Sequence, residues 1–350
     1  METTMGSNAV RLLVLSSLSF VVAVAWTPLL THFLYKHKLG KQIRDAKTAP
    51  IMSKLHAHKA GTPTMGGLLV WVTTAGIALA TSFAAWLWDS SLTAWNFLSR
   101  AQTLLPLGTL VASALVGLVD DYWNVKRIGP RGGGLRMRHR LLMYAAIAAV
   151  GALWFYFKLE RDTVHLPFVG TFGIGPWYML FFVVVIVATA FSVNEADGLD
   201  GLAGGTLLAA FASYATIAFV EGRYDMAVFC GVISGALLAF LWFNIVPARF
   251  FMGDTGAMSL GVTLGIVAML TNTAFLLPFI GFVFVIESLS VILQIASKKL
   301  RGKKLFLSTP FHHHLEASGW SEPKIVMRLW VISAMTATIG LVLYLLDPTK

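Results

Sequence analysis

Cysteine is all but absent from this chain. Cys230 is the only one in 350 residues, which excludes an intrachain disulfide and a cysteine-built metal cluster. Charge is scarce as well: 13% of residues are Asp, Glu, Lys or Arg, against 57% hydrophobic. That balance excludes an ordinary soluble domain, where about a quarter of residues are charged. Acids are the scarcer sign, 17 against 27 Lys and Arg, for a net charge of +10. Two common phosphate and metal signatures are also missing: there is no Gly-x-x-x-x-Gly-Lys-Ser/Thr loop and no His-Glu-x-x-His pair.

What the chain has is apolar length. A membrane-spanning helix needs roughly 20 apolar residues. Ten such runs fall at about 10–31, 65–87, 102–119, 141–157, 174–192, 202–220, 226–243, 257–274, 276–296 and 326–346. The eighth and ninth nearly merge, with Thr271, Asn272, Thr273 and Pro278 marking a turn between them. The fold expected is an all-α polytopic integral membrane protein of about ten transmembrane helices, forming one domain over 1–350. The first run is too long for a cleavable signal peptide and lacks a strongly basic leading region, so none is expected.

The basic surplus is unevenly placed. Alternate loops at about 32–64, 120–140, 193–201, 244–256 and 297–328 hold 21 of the 27 Lys and Arg. The positive-inside rule assigns these loops to the cytoplasm and both termini to the outside. Trp86, Trp88, Trp95, Trp154 and Trp177 then fall near outer span ends, as an interfacial belt requires. The basic surplus is thereby read as topogenic, with attraction to anionic lipid, rather than as a nucleic-acid surface.

The acids carry the chemistry. Asp120 and Asp121 are adjacent at one span end and repel unless a cation or proton intervenes. Residues 191–205 place Glu195, Asp197 and Asp200, with Gly198, Gly201, Gly204 and Gly205, between two apolar runs. Acids that near a bilayer are functional by default, against the alternative of an ordinary loop with a small-residue packing face. Asp254 lies between Gly253 and Gly256 just before a span, suiting a metal ligand or a helix N-cap. Glu287 falls inside the ninth span and is expected to be a buried, hydrogen-bonded structural acid. Lys59, with His56 and His58, stands before the Gly61-to-Gly67 turn and suits a phosphate or a snorkelling helix end. Lys126, Arg127, Arg131, Arg136, Arg138 and Arg140 surround Gly132–Gly134 in a loop able to close over an anion. His312, His313 and His314 cannot all face one small ion, so hydrogen bonding to phosphate or sugar is expected of one or two of them. Five aspartates converging at cytoplasmic span ends would need Mg²⁺ or Mn²⁺, and Mg²⁺ takes one or two carboxylates with waters and phosphate oxygens. The residues alone therefore indicate a metal-dependent phosphoryl-transfer or pyrophosphate enzyme at the membrane surface.

The motifs Asp120-Asp121-Tyr122, Asn194-x-x-Asp197-Gly-Leu-Asp200-Gly-Leu and Phe251-Met-Gly-Asp254-Thr-Gly resemble the polyprenyl-phosphate N-acetylhexosamine-1-phosphate transferase superfamily. Gly61-Thr-Pro-Thr-Met-Gly-Gly67, Pro310-Phe-His-His-His-Leu-Glu316 and Gly319-Trp-Ser-Glu-Pro323 resemble its phospho-N-acetylmuramoyl-pentapeptide transferase branch, over about residues 50–345. The resemblance implies ten helices, a cytoplasmic cleft in a bacterial plasma membrane, and a homodimer. It implies attack of undecaprenyl phosphate on the β-phosphate of UDP-N-acetylmuramoyl-pentapeptide, releasing UMP. By the same resemblance Asp254 holds Mg²⁺, Asp120 is the base, and Asp121 and His313 join them in catalysis. Lys59, Asp200, Asn244 and Phe251 seat the uridine, while Asn194, Asp197, Gly198, Leu199, His312 and His314 also meet substrate. Three positions depart from the pattern: Phe191 stands where the family has Asn, Glu195 adds an acid to the same motif, and Asn124 stands where the family commonly has Lys, with Lys126 nearby. A sister enzyme using UDP-N-acetylglucosamine is the near alternative. A secondary transporter, which would carry acids at mid-bilayer, is the distant one.

Overall fold

The structure of the protein is a computed structural model that describes residues 2–40, 59–88, 93–99, 102–129 and 133–350. His56, His58, Arg131 and Gly132 lie outside the described residues. The chain is almost wholly helical: α1 Glu2–Lys36, α2 Leu68–Leu87, α3 Leu104–Val125, α4 Met137–Leu153 and α5 Trp177–Ala196. Then follow α6 Leu202–Val220, α7 Tyr224–Asn244, α8 Gly253–Leu270, α9 Leu277–Ile280, α10 Phe282–Arg301, α11 Phe311–Ala317 and α12 Glu322–Leu346. In hydrocarbon every backbone polar group must be satisfied within its own segment, so long apolar runs become helices. Among the described residues nine helices are long and apolar enough to cross a membrane. A tenth arises if α9 and its preceding turn are joined to α10, across a bend of 88°.

That bend is where the structure departs from the expected spans. The ninth run, 276–296, is not one straight helix. Gly281 separates α9 from α10, and α10 continues to Arg301 before Gly302, in the left-handed conformation at φ 66°, stops it. Among the described residues the sheet is a small antiparallel hairpin, Thr163–Leu166 with Gly170–Gly173, between α4 and α5. There His165 bonds Asp347 at 2.6 Å, tying the hairpin to the chain beyond α12.

α8 is the central post. Nearly all of its side chains are buried, because α3, α5, α6 and α2 pack around it. Without a strong hydrophobic drive between helices in lipid, close approach of backbones through small residues holds such contacts. A Cβ at Gly117 of α3 would run into the Asp254 carbonyl, and one at Gly67 into the Gly256 backbone. The first contact brings Asp120 and Asp121 alongside Asp254. The second is reinforced by backbone bonds from Gly66 N–H to Phe251 O at 2.7 Å and from Gly67 N–H to Met252 O at 2.8 Å. Three sequence-distant segments, around 61–67, 117–122 and 251–256, thus meet because glycines permit it.

Candidate active site

The start of α8 opens into a cavity of about 1640 Å³ between α4, α5, α10, α11 and the loops before α2 and α8. A helix N-terminus leaves N–H groups without partners inside its own helix. Here other elements supply those partners. Asp197 accepts the Gly253 N–H at 3.2 Å, and Asp121 accepts the Thr255 N–H at 2.9 Å. Asp121 also takes the Thr64 hydroxyl at 3.3 Å. The positive φ of Gly253, 73°, is what lets the chain enter α8 so close to the Asp121 carboxylate, where a side chain would collide with it. Two of the five aspartates therefore cap a helix from outside it.

Asp254, in the first turn of α8, faces the opposite way. Its Oδ1 accepts Asn194 Nδ2 at 2.6 Å, and its Oδ2 lies 2.7 Å from Arg140 Nη2. The same Nη2 atom is 2.7 Å from Asp120 Oδ2. Asp120 uses its other oxygen to accept the Leu135 N–H at 2.6 Å, which pins the glycine-rich turn before α4 over the site. Arg140 Nη1 reaches Asn194 Oδ1 at 3.3 Å. Arg140 is a site residue that sequence reasoning did not single out. It is one of six cations in its loop, and only the fold shows which of them turns inward.

The five aspartates expected together at the cytoplasmic span ends have separate partners in this arrangement. Asp120 and Asp254 converge; Asp121 and Asp197 serve backbone N–H groups; Asp200 has a cation of its own. Lys59 Nζ bonds Asp200 at 2.7 Å and Glu322 at 2.5 Å, all three largely buried, and sits 5.9 Å from the centre of the Phe251 ring. Asp200 takes the Ala248 N–H at 3.1 Å, and Asn244 bridges the Gly201 N–H and the Phe250 carbonyl. This end of the cavity is a rigid polar cradle with an aromatic face.

The histidines divide. His312 is fully buried; Glu287 accepts its backbone N–H at 3.2 Å, and the Glu287 carboxylate is 2.9 Å from His312 Nδ1. The expected structural acid in the ninth run is therefore the anchor of this histidine. Burial pulls the imidazole pKa down, but the Glu287 charge and hydrogen bond outweigh it and hold the pKa above its ordinary value. His312 Nε2 has no hydrogen-bond partner and abuts Gly198, where any side chain would overlap it. His313 bonds Glu316 at 2.7 Å and meets the His312 ring edge-on. His314 accepts the Leu307 N–H at 3.3 Å and packs on Phe306 and Phe311, outside the cavity lining. Asp120 likewise lies behind Arg140 rather than on the cavity wall, whereas Gly198, Leu199 and the other expected residues line it. Phe191 and Asn124 line it too, while Lys126 lies over the Tyr122 ring at 5.8 Å and does not.

The cavity's second end is apolar. Leu142 and Ala145 of α4, Val184, Val187 and Ala188 of α5, and Val291, Ile292 and Ile295 of α10 line a trough continuous with the lipid-facing surface. Leu142, Val184, Ile292 and Ile295 are exposed.

No group of three or more His, Cys, Asp or Glu side chains is arranged to hold a metal ion among the described residues. Two carboxylates meeting at one cationic atom do fit Mg²⁺, which takes one or two carboxylates and draws its other ligands from water and phosphate.

A membrane-embedded helical transferase acting on sugar phosphates is the class this fold and site define. The Glycosyl transferase family 4 pattern matches residues 103–272, and the phospho-N-acetylmuramoyl-pentapeptide-transferase signature 1 matches residues 59–69. The chain is 37% identical to the phospho-N-acetylmuramoyl-pentapeptide-transferase of Chloroflexus aggregans, over 96% of this chain and 90% of that one. It is 38% identical to the enzyme of that name from Geobacillus sp. strain WCH70, over 93% and 95% of the two chains. For that of Anoxybacillus flavithermus the identity is 37%, over 95% and 98%. The chain belongs to the phospho-N-acetylmuramoyl-pentapeptide transferase family.

Proposed function

We propose that this protein transfers phospho-N-acetylmuramoyl-pentapeptide from UDP-N-acetylmuramoyl-pentapeptide to undecaprenyl phosphate, yielding the lipid-linked product (lipid I) and UMP. The observation that carries this reading is the cavity's division around Asp254 and Arg140, with Asp120 behind them. A polar aromatic cradle lies at one end and an apolar trough open to lipid at the other. The reaction joins a nucleotide-linked sugar phosphate to a lipid phosphate, and each end matches one of them.

Lys59, Asp200, Asn244 and Phe251 bind the uridine by hydrogen bonds and ring stacking. The trough takes the first isoprene units and brings the lipid phosphate to the start of α8. An oxygen of that phosphate forms a bond to the β-phosphorus, the bond from the β-phosphorus to the bridging oxygen breaks, and UMP leaves with that oxygen. Asp120 accepts the proton of the lipid phosphate, and Asn194 orients Asp254. Asp254, with Asp120 close by, would hold Mg²⁺, which would supply charge neutralisation at the phosphates. His312 and His313 face the sugar and its peptide. The Lys and Arg distribution supports a site on the cytoplasmic side, the run of apolar spans supports a single domain over 1–350, and the family resemblance supports the bacterial plasma membrane and a homodimer.

The test is UMP release with undecaprenyl phosphate as acceptor and either UDP-N-acetylmuramoyl-pentapeptide or UDP-N-acetylglucosamine as donor. The first should turn over and the second should give little. A site that hydrogen-bonds a substrate group rejects an analogue lacking it by up to roughly 10⁴–10⁵. Comparable rates with both donors would assign the chain to the sister reaction instead. Asp254→Asn should abolish turnover in a folded protein, and Asp120→Asn should slow it by about 10²–10⁴, the usual range for a general base.

A further inference from the structure

Arg140 stands where a cation of another kind belongs. Its Nη2 atom touches Asp120 Oδ2 and Asp254 Oδ2, each at 2.7 Å, so both carboxylates point at a single positive centre. The fit is poor by hydrogen-bond standards. Asp120 Oδ2, on a carboxylate 3% exposed, makes no hydrogen bond of acceptable geometry, and neither does the buried Arg140 Nε. The guanidinium answers the charge of both acids but leaves the Asp120 Oδ2 without a well-directed hydrogen bond. A small divalent ion carries twice the charge, and Mg²⁺ completes its octahedron with waters and phosphate oxygens, so it needs only one or two carboxylates from the protein. A planar guanidinium is, in contrast, shaped to take two phosphate oxygens side by side. Arg140 also lines the cavity, so its head group has open space in front of it.

We propose that Arg140 holds the place of the divalent cation between Asp120 and Asp254, and that metal binding displaces its guanidinium into the cavity, where it clamps the phosphates of the donor. This rests on the metal reading above. Without the metal, Arg140 keeps two neighbouring acids from repelling each other. Once the metal replaces it, the acids, the metal and the arginine together carry a surplus of positive charge. That surplus is present only when the metal is bound, and it draws the anionic pyrophosphate. Metal and donor are thereby coupled through one side chain.

The experiment is Mn²⁺ titration of the detergent-solubilised protein without substrates, followed by electron paramagnetic resonance. Arg140→Gln removes the competing charge and should bind Mn²⁺ at least tenfold more tightly than the parent. Arg140→Lys keeps a cation there and should stay within about threefold of the parent, which also shows that a substitution at this position folds. Asp254→Asn should lose the bound signal in either background. Equal or weaker Mn²⁺ binding by Arg140→Gln, with the Asp254→Asn loss intact, overturns the exchange while leaving the metal site standing. Undiminished Mn²⁺ binding by Asp254→Asn overturns the metal site itself. With the donor present, Arg140→Gln should raise its KM at least tenfold despite the tighter metal; an unchanged KM would remove the clamp from the proposal.

Discussion

Glu322 Oε1 takes both the Lys59 ammonium, at 2.5 Å, and the Asp200 backbone N–H, at 2.8 Å. One carboxylate at the first turn of α12 thus fixes two residues of the polar cradle, one of them 263 positions away in the chain. Lys59 holds its orientation under Phe251 because two acids share its charge. Glu322→Gln keeps the shape and one acceptor but removes that sharing. A hydrogen bond to a charged group contributes about 1.5–3 kcal/mol, so the donor KM should rise roughly tenfold or more. The lipid KM should not move, and kcat should stay within about twofold. Steady-state kinetics with each substrate varied separately decides it; equal rises in both KM values would make Glu322 a general structural support.

The buried pairing of His312 with Glu287 gives the stability a pH dependence of known sign. A histidine whose folded pKa is raised contributes stability that is fully present below its unfolded value, ~6.5, and lost as pH rises through the folded value. Glu287→Gln removes the charge that raises it. The melting temperature of this variant should lie furthest below the parent near pH ~6 and approach it near pH ~9. Differential scanning fluorimetry in detergent measures both curves, and parallel curves would rule out this pair as the source.

Filling the apolar trough should separate the two substrates. Ala188 is exposed on the trough wall, so Ala188→Trp blocks the path without disturbing the buried core. The KM for the lipid acceptor should rise at least fivefold while that for the nucleotide-sugar stays constant. A matching rise in both would place the isoprene chain elsewhere.

Orientation in the membrane follows from the charge asymmetry and is checked by labelling. Cys230 is buried, so the native thiol is a quiet background. Asp162 and Lys303 are both exposed, in loops of opposite predicted side. In intact cells an impermeant thiol reagent should label Asp162→Cys and spare Lys303→Cys. The reverse pattern would turn the site to the outer face.

The helical architecture was legible because span length and loop charge are local properties. The turn at Thr271–Thr273 was also legible, since α8 ends at Leu270. The bend at Gly281 was not, because hydropathy reports apolar content and not direction. At the site, acids at span ends announced themselves through the cost of their position. Their partners did not. Asp121 and Asp197 read as catalytic and substrate-binding acids; that their carboxylates also cap α8 is a tertiary contact without any sequence period. Arg140 was hidden among its basic neighbours, and Glu322 within a motif that marked only the family branch. His312 and His314 are chemically identical in sequence, yet helix α11 turns one toward Gly198 and the other toward Phe306.

Under the proposed function, the bend between α9 and α10 bears on how the lipid acceptor reaches the site. Because α10 departs at 88° from the short helix before it, its Val291, Ile292 and Ile295 form one wall of a trough that opens sideways. The acceptor then arrives by lateral diffusion, its chain never leaving the hydrocarbon, and the heavier product departs the same way. Turnover is accordingly governed in two dimensions. In mixed micelles the rate should follow the mole fraction of undecaprenyl phosphate in the detergent phase, falling when detergent is added at constant bulk lipid concentration.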